Sequence, residues 1–410
     1  MTLLSIPSLF LSTTLICAFY TTPAFSSKFD NKTFDEVQTV ANQNDAEAQN
    51  ALGDMYYDGS GVKQDYQQAI SWYQKAAAQN NPEAQYSLGY MFANGESVQQ
   101  DYAQAVVWYT KAAEQGYAWA QTNLADLYDT GEGVQQDYAQ ALIWYTKAAE
   151  QGSTYAQTNL AYLYDKGNGV QQDYAKALAL YTKAAEKGNA RAQTNLAYLY
   201  ETGNGVQQDY AKALAWYTKA AEKGNVRAQT NLGLLYESGK GVPQDYAQAL
   251  IWYTKAAKQG DADAQTDLGY LYDTGKGIAR DRTQAIAWYQ KAAEQGQVHA
   301  QYNLGLAYNN GNGVKKDHAQ AVAWYTKAAE QNLPDAQYNL GLMYYEGKGV
   351  PQDNTLAHTW LSIALANGKN EAYQPVMTLT LKMKPEELLE SHNKLTEFRK
   401  KFSIPDPVIP

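Results

Sequence analysis

Cysteine is almost missing from this chain. Its 410 residues contain one, Cys17, which excludes a disulfide framework and a thiolate metal cluster. Positive charge is also short: 33 Lys and Arg stand against 42 Asp and Glu, a formal charge of −9. That balance argues against a sequence-independent grip on nucleic acid or anionic lipid, which needs clustered cations. Only four His are present. No His-Glu-x-x-His, phosphate loop or Gly-x-Ser-x-Gly elbow occurs, so neither a cofactor nor a catalytic centre is expected. Phe is outnumbered, with 8 against 35 Tyr and 9 Trp. Most of that aromatic excess is explained by periodicity.

The N-terminus lacks charge altogether. Residues 1–27 hold no Asp, Glu, Lys, Arg or His, and Leu3 to Tyr20 is mainly apolar. Thr22-Pro23-Ala24 and Ala24-Phe25-Ser26 each suit a signal peptidase. The run is short and interrupted for a membrane span, although a basic residue before it is also missing. Residues 1–26 therefore read as an export signal, which predicts a periplasmic or secreted protein. Membrane contact is expected only if that signal stays uncleaved.

From residue 45 to 368 the chain repeats every 36 residues, nine times. The Ala-Gln pairs set the register, as at Ala84-Gln85, Ala120-Gln121 and Ala156-Gln157. Each unit splits into two helices. Ala120, Leu124 and Tyr128 form a stripe at helical spacing, and Gly131 follows as a left-handed stop. Asp137 then caps a second helix, with Gln140 placed for a capping box. That helix is expected to bury Ala141, Trp144, Tyr145, Ala148 and Ala149. A Gly or Ala column, Gly89 and Ala125 among its members, lets the two helices approach closely. One such hairpin cannot bury enough surface alone, so neighbours must stack. The fold predicted is all-α, an α-solenoid of antiparallel hairpins. Residues 27–44 form an N-terminal cap or linker, and 369–410 a capping helix and loose tail. The expected final helix starts at Pro385, with Leu388, Leu389, His392, Leu395 and Phe398 on one side.

The motif Leu-Gly/Ala-x-x-Tyr followed by Gly-x-Gly-Val-x-x-Asp-Tyr-x-x-Ala-x-x-Trp-Tyr-x-Lys-Ala-Ala-x-x-Gly resembles the Sel-1-like repeat family, a relative of the tetratricopeptide repeat. The resemblance spans all nine units. Ser97, Leu180, Ile278 and Leu361 depart from it, in place of Gly, Trp, Val and Tyr. It implies a scaffold that binds other proteins, with the first helices lining a concave groove.

Of the 35 Tyr, 22 occupy three framework columns, where the hydroxyl is expected at the rim. Others fall in variable first-helix columns that the resemblance turns into the groove. Tyr90, Trp119, Tyr155, Tyr162, Tyr198, Tyr270, Tyr302 and Tyr338 are the candidate partner-binding residues, with overflow packing between units as the competing reading. Acidic columns (Glu47, Glu83, Asp263 and Asp335; Asp129, Asp165, Glu201, Glu237 and Asp273) give the groove an acidic edge. A Lys column, from Lys75 to Lys327, sits three residues before a Glu column, as exposed helix pairs do. The loop Asp129 to Asp137 lacks the closing Glu of a calcium site, and no metal is expected. The expected function is non-catalytic protein binding by an exported scaffold. The alternatives are binding of peptidoglycan or another glycan, and a β-lactamase-like enzyme, whose hairpins in the related cysteine-rich proteins are disulfide-tied.

Overall fold

The computed structural model describes residues 28, 29 and 31–402; the export signal, Cys17 and the tail from Ile404 lie outside them. Among the described residues there are 21 α-helices, one short 3-10 turn and no strand, an α-solenoid of paired helices. The chain divides into two compact units, Met1–Gln172 and Asp173–Pro410.

In the first unit, α1 (Phe34–Ala41) covers a series of hairpins: α2 (Ala46–Asp58) with α3 (Tyr66–Ala78), α4 (Pro82–Asn94) with α5 (Tyr102–Glu114), and α6 (Ala118–Thr130) with α7 (Tyr138–Glu150). It ends on α8 (Thr154–Lys166). The hairpin of α6 and α7 shows how the sequence builds each one. Gly131 closes α6 at φ 79° and donates its N–H to the Leu127 carbonyl at 2.8 Å. A Cβ on Gly133 would stand 2.3 Å from the Tyr102 carbonyl carbon, so the turn seats on the preceding hairpin only with glycine there. Asp137 then accepts the N–H groups of Ala139 and Gln140 at 2.9 and 3.0 Å. The return bond from the Gln140 side chain does not form, so the expected capping box is half realised.

Helix α7 buries Ala141, Tyr145, Ala148 and Ala149. Trp144, expected in the core with them, is half-buried: it packs against the cluster of Leu124 and Leu127, and Lys147 Nζ covers its ring at 3.9 Å from the centroid. The same contact recurs from Lys75 over Trp72 to Lys327 over Trp324, at 3.5–4.3 Å. These lysines were expected to pair with the following Glu column. An ammonium at that distance is held by the ring face instead. The small column works as predicted: a Cβ on Gly89 would come within 2.6 Å of the Tyr109 ring.

A buried glutamine ties three helices together. Gln121 of α6 donates to the Ala113 carbonyl of α5 at 3.1 Å and accepts from Gln151, at the end of α7, at 2.8 Å. Gln49 and Gln85 are held the same way. Each clamp satisfies a carbonyl and an amide that would otherwise be stranded in the core.

The second unit runs α9 (Tyr174–Glu186), α10 (Ala190–Thr202), α11 (Tyr210–Glu222), α12 (Val226–Ser238), α13 (Tyr246–Lys258), α14 (Ala262–Thr274), α15 (Arg282–Glu294), α16 (Val298–Asn310), α17 (His318–Glu330), α18 (Pro334–Glu346) and α19 (Asn354–Ala366). It closes with α20 (Tyr373–Lys382) and α21 (Pro385–Lys401). The buried side of α21 is Leu388, Ser391, Leu395 and Phe398, while Leu389 and His392, expected on it, face solvent. Ser391 decides that rotation. Its hydroxyl lies 2.9 Å from His358 Nδ1 and 3.0 Å from Thr359 Oγ1, which anchors α21 to α19.

Candidate functional site

The first helices carry the variable columns, and in the first unit they hold Tyr90, Trp119, Tyr155 and Tyr162, all partly buried. Tyr90 lies 6.5 Å from Tyr86, ring to ring, and Tyr86 in turn lies 5.3 Å from Tyr117. Trp119 and Tyr155 stand in the column that Glu47 and Glu83 fill on α2 and α4. Tyr162 has Lys166 Nζ 5.8 Å from its ring centre.

In the second unit the column of Tyr90 continues as Tyr198, Leu234 and Tyr270. Leu234 is 43% exposed and Tyr270 38%, so two large apolar side chains stand open on successive first helices. Such residues placed together in water mark a contact surface more often than isolated ones do. Cations flank the rings: Arg227 lies 5.7 Å from the Tyr198 ring, and Lys276 donates to the Tyr270 hydroxyl at 2.9 Å. Tyr302 and Tyr338 are placed differently. Tyr302 packs on Tyr325 at 5.9 Å and takes a bond from Asn339, and Tyr338 packs against the cluster that includes Leu361 and Leu379. For these two, much of the ring is spent on packing.

The framework tyrosines correct another expectation. Tyr145, Tyr217 and Tyr253 are fully buried, and their hydroxyls point inward to carboxylates on the first helices rather than to the rim. Tyr73 donates to Asp54 at 2.7 Å, Tyr145 to Asp126, Tyr217 to Glu201 at 2.8 Å and Tyr253 to Glu237 at 2.8 Å. Burial, reinforced by the neighbouring carboxylate, pushes each phenol well above its usual range and keeps it a donor. Glu201 and Glu237 of one acidic column thus serve as acceptors for the core, and so do Asp54 and Asp126, which stand in the column of Tyr90. Two carboxyls of the first helices are pushed toward their protonated form. Burial raises Asp54 to about 7, against the bond from Tyr73 and with Glu83 and Asp58 adding to the rise. Asp267 is raised well above the carboxylate range, by burial and then by Glu237, Asp263 and Asp261. Among the described residues no group of three or more His, Cys, Asp or Glu is placed to hold a metal ion. No helix there is long and apolar enough to cross a membrane.

Sequence reasoning overlooked two things. The Ala-Gln pair served as a ruler, yet a Gln directly after Ala and three positions before Leu in nine units, on the apolar face of a helix, is itself a sign of a buried polar clamp. The pairing of Tyr145 with Asp126 spans 19 residues and two helices, beyond the reach of any local pattern.

The model of the Sel1 repeat matches nine consecutive segments, 46–81, 82–117, 120–153, 154–189, 190–225, 226–261, 262–297, 298–333 and 334–369. The chain belongs to the Sel1 repeat family. Among solved structures it is similar to c5321, described as a protective antigen of uropathogenic Escherichia coli displaying an SLR fold. The two are 33% identical over 91% of this chain and 95% of that one, with a TM-score of 0.61. A Sel1 repeat protein from Oxalobacter formigenes is 34% identical over 76% of this chain and 90% of that one, at a TM-score of 0.60. No match was found among curated proteins. Sel1 repeat solenoids are typically scaffolds for protein interaction and generally non-enzymatic.

Proposed function

We propose that this protein is an exported, non-catalytic scaffold that holds a partner protein on the face formed by its first helices. The neighbouring exposed pair Leu234 and Tyr270 carries the reading, because the fold leaves them uncovered while burying the aromatic framework around them. Tyr90, Trp119, Tyr155 and Tyr162 are the candidate contacts of the first unit, and Tyr198 and Tyr270 those of the second. Tyr302 and Tyr338, packed against Tyr325 and the cluster of Leu361, contribute less. Pre-ordered helices lose little entropy on binding, and Tyr supplies large contact area with a hydrogen-bonding tip. The uncharged leader at residues 1–26 and the likeness to a protein described as a protective antigen support export, to a periplasm or to the medium.

Replacing Tyr162, Tyr198 and Tyr270 together with Ala tests the site. Partner capture from the native envelope fraction is expected to fall about tenfold or more, with helical content unchanged. Ile251, exposed on a second helix, supplies the control: Ile251→Ser should capture as well as the wild type. Equal capture by the triple variant would remove the first-helix face from the account. Capture of cell-wall sacculi in sedimentation, lost in the triple variant, would replace the protein partner with a glycan.

A further inference from the structure

The buried glutamine clamp is broken at one place in the second unit. Elsewhere in that unit its Oε1 accepts from a primary amide thirty residues on. Gln229 accepts from Gln259, Gln265 from Gln295 and Gln301 from Gln331, each at 2.8 Å, and Gln337 from Asn367 at 2.9 Å. For Gln193 that position holds Lys223. Gln193 still donates to the Ala185 carbonyl at 3.0 Å, as Gln229 does to Ala221 at 3.1 Å, which turns its Oε1 to the place of the missing amide. That oxygen is buried without a hydrogen-bond partner, in a residue 3% exposed. The only other repeat with a lysine there, at Lys187, leaves Gln157 Oε1 unfilled in the same way.

An open cleft of about 470 Å³ lies at the break, with Gln193, Trp216, Gly188 and Lys223 in its lining. Lys223 does not fill the acceptor. Its Nζ meets the Gly188 carbonyl at 2.5 Å and the side chain is exposed. Drawing an ammonium inward would strip its hydration for one neutral acceptor. A neutral donor carries no such cost, and a buried oxygen left unpaired gains a full bond when one arrives. The charges around the cleft agree. Glu186 and Glu222 are matched by Lys219 and Lys223, so the lining has no net charge with which to select an ion. The Trp216 ring, with Lys219 Nζ 4.1 Å from its centre, supplies an apolar wall for a short methylene stem.

We propose that this cleft seats the glutamine side chain of a bound polypeptide. The carboxamide N–H of the ligand donates to Gln193 Oε1 and replaces the amide that the neighbouring repeats supply from within. The seat uses none of the aromatic residues assigned above. It rests on the protein-binding reading only in taking a polypeptide as the bearer of the amide.

The test uses the full chain and a labelled Ala-Ser-Gln-Ser-Ala peptide, acetylated at one end and closed as a methylamide at the other. Glutamine then carries the only primary amide of the probe. The comparison peptide has glutamate at the centre, which keeps the shape and puts acceptors where the donors were. Fluorescence anisotropy is expected to show the glutamine peptide binding at least about fivefold more tightly. Lys223→Gln, which fills the seat from within, should abolish that difference. Lys223→Ala, which removes the same lysine and fills nothing, should keep it. Thermal unfolding checks that both variants stay folded. No measurable binding of the glutamine peptide, equal binding of the two peptides, or a preference that survives Lys223→Gln overturns the seat. Loss of the preference in both Lys223 variants assigns it to the lysine and overturns the seat as well. The Tyr162, Tyr198 and Tyr270 variant should keep the preference even where partner capture fails, which separates this seat from the first-helix face. A preference lost in that variant means the amide is read by the aromatic face, and the seat at Gln193 is wrong.

Discussion

Ser97 occupies a backbone conformation that the repeat otherwise gives to glycine. Its φ is 55°, where an L side chain is disfavoured by roughly 1–2 kcal/mol. Ser97→Gly should therefore raise stability by about 1 kcal/mol, part of the gain being returned through the freer unfolded chain. Chemical denaturation measures it, and an unchanged midpoint would mean the turn is not strained. Asp54 makes a second prediction. Its carboxyl titrates at about 7 in the folded chain against 3.8 for the free side chain, so the folded state binds the extra proton between those values. The stability this group contributes is full below the lower value and is lost as pH rises through the upper one. Asp54→Asn should thus be stabilising at pH 8, by about 1–2 kcal/mol after solvent screening, and nearly neutral at pH 4. Denaturation at the two pH values checks it. A variant less stable than wild type at pH 8 would contradict the burial argument.

Between neighbouring helices the glutamine clamp sets the terms. Gln229 accepts from Gln259 at 2.8 Å, and Gln265 from Gln295 at 2.8 Å. At Gln193 the position of the donor is taken by Lys223, whose Nζ turns to the Gly188 carbonyl at 2.5 Å, and Gln193 Oε1 is left buried without a partner. Lys223→Gln should restore the clamp and stabilise the second unit by about 0.5–1.5 kcal/mol. Conversely Gln121→Ala should cost about 1–3 kcal/mol, because the Ala113 carbonyl loses its donor inside the core while Gln151, which is exposed, can turn to water. Differential scanning calorimetry of the two variants would show shifts of opposite sign; a lower midpoint for Lys223→Gln would refute the clamp. Helices were legible in the sequence because their signals are local. Asp137, Gly131 and the Ala141, Tyr145, Ala148 stripe lie within a few residues of the feature each controls. What each side chain meets was less legible. Lys147 has Glu150 three residues on and Trp144 three back, and only packed coordinates show that the ring wins. Likewise Leu389 and Leu388 are equally apolar in sequence, and the buried contact of Ser391 with Thr359 fixes which one turns inward.

For the chain as a whole, nine repeats mean that stability accumulates from each hairpin and its neighbours, so residues outside the shared framework are free to vary. The candidate surface lies in those variable columns. Position could be read from the period, since Tyr198, Leu234 and Tyr270 stand 36 residues apart. Availability could not, as the packing of Tyr302 on Tyr325 shows. The net charge of −9 would speed encounter with a basic partner and make association sensitive to salt. The central claim is that the first-helix face makes the contact. Photo-crosslinking tests it directly: a benzophenone amino acid is placed at Leu234, at Tyr270 or, on a second helix, at Ile251. Adducts with the captured partner from positions 234 and 270 and none from 251 are the predicted result. Adducts from 251 alone would contradict the account.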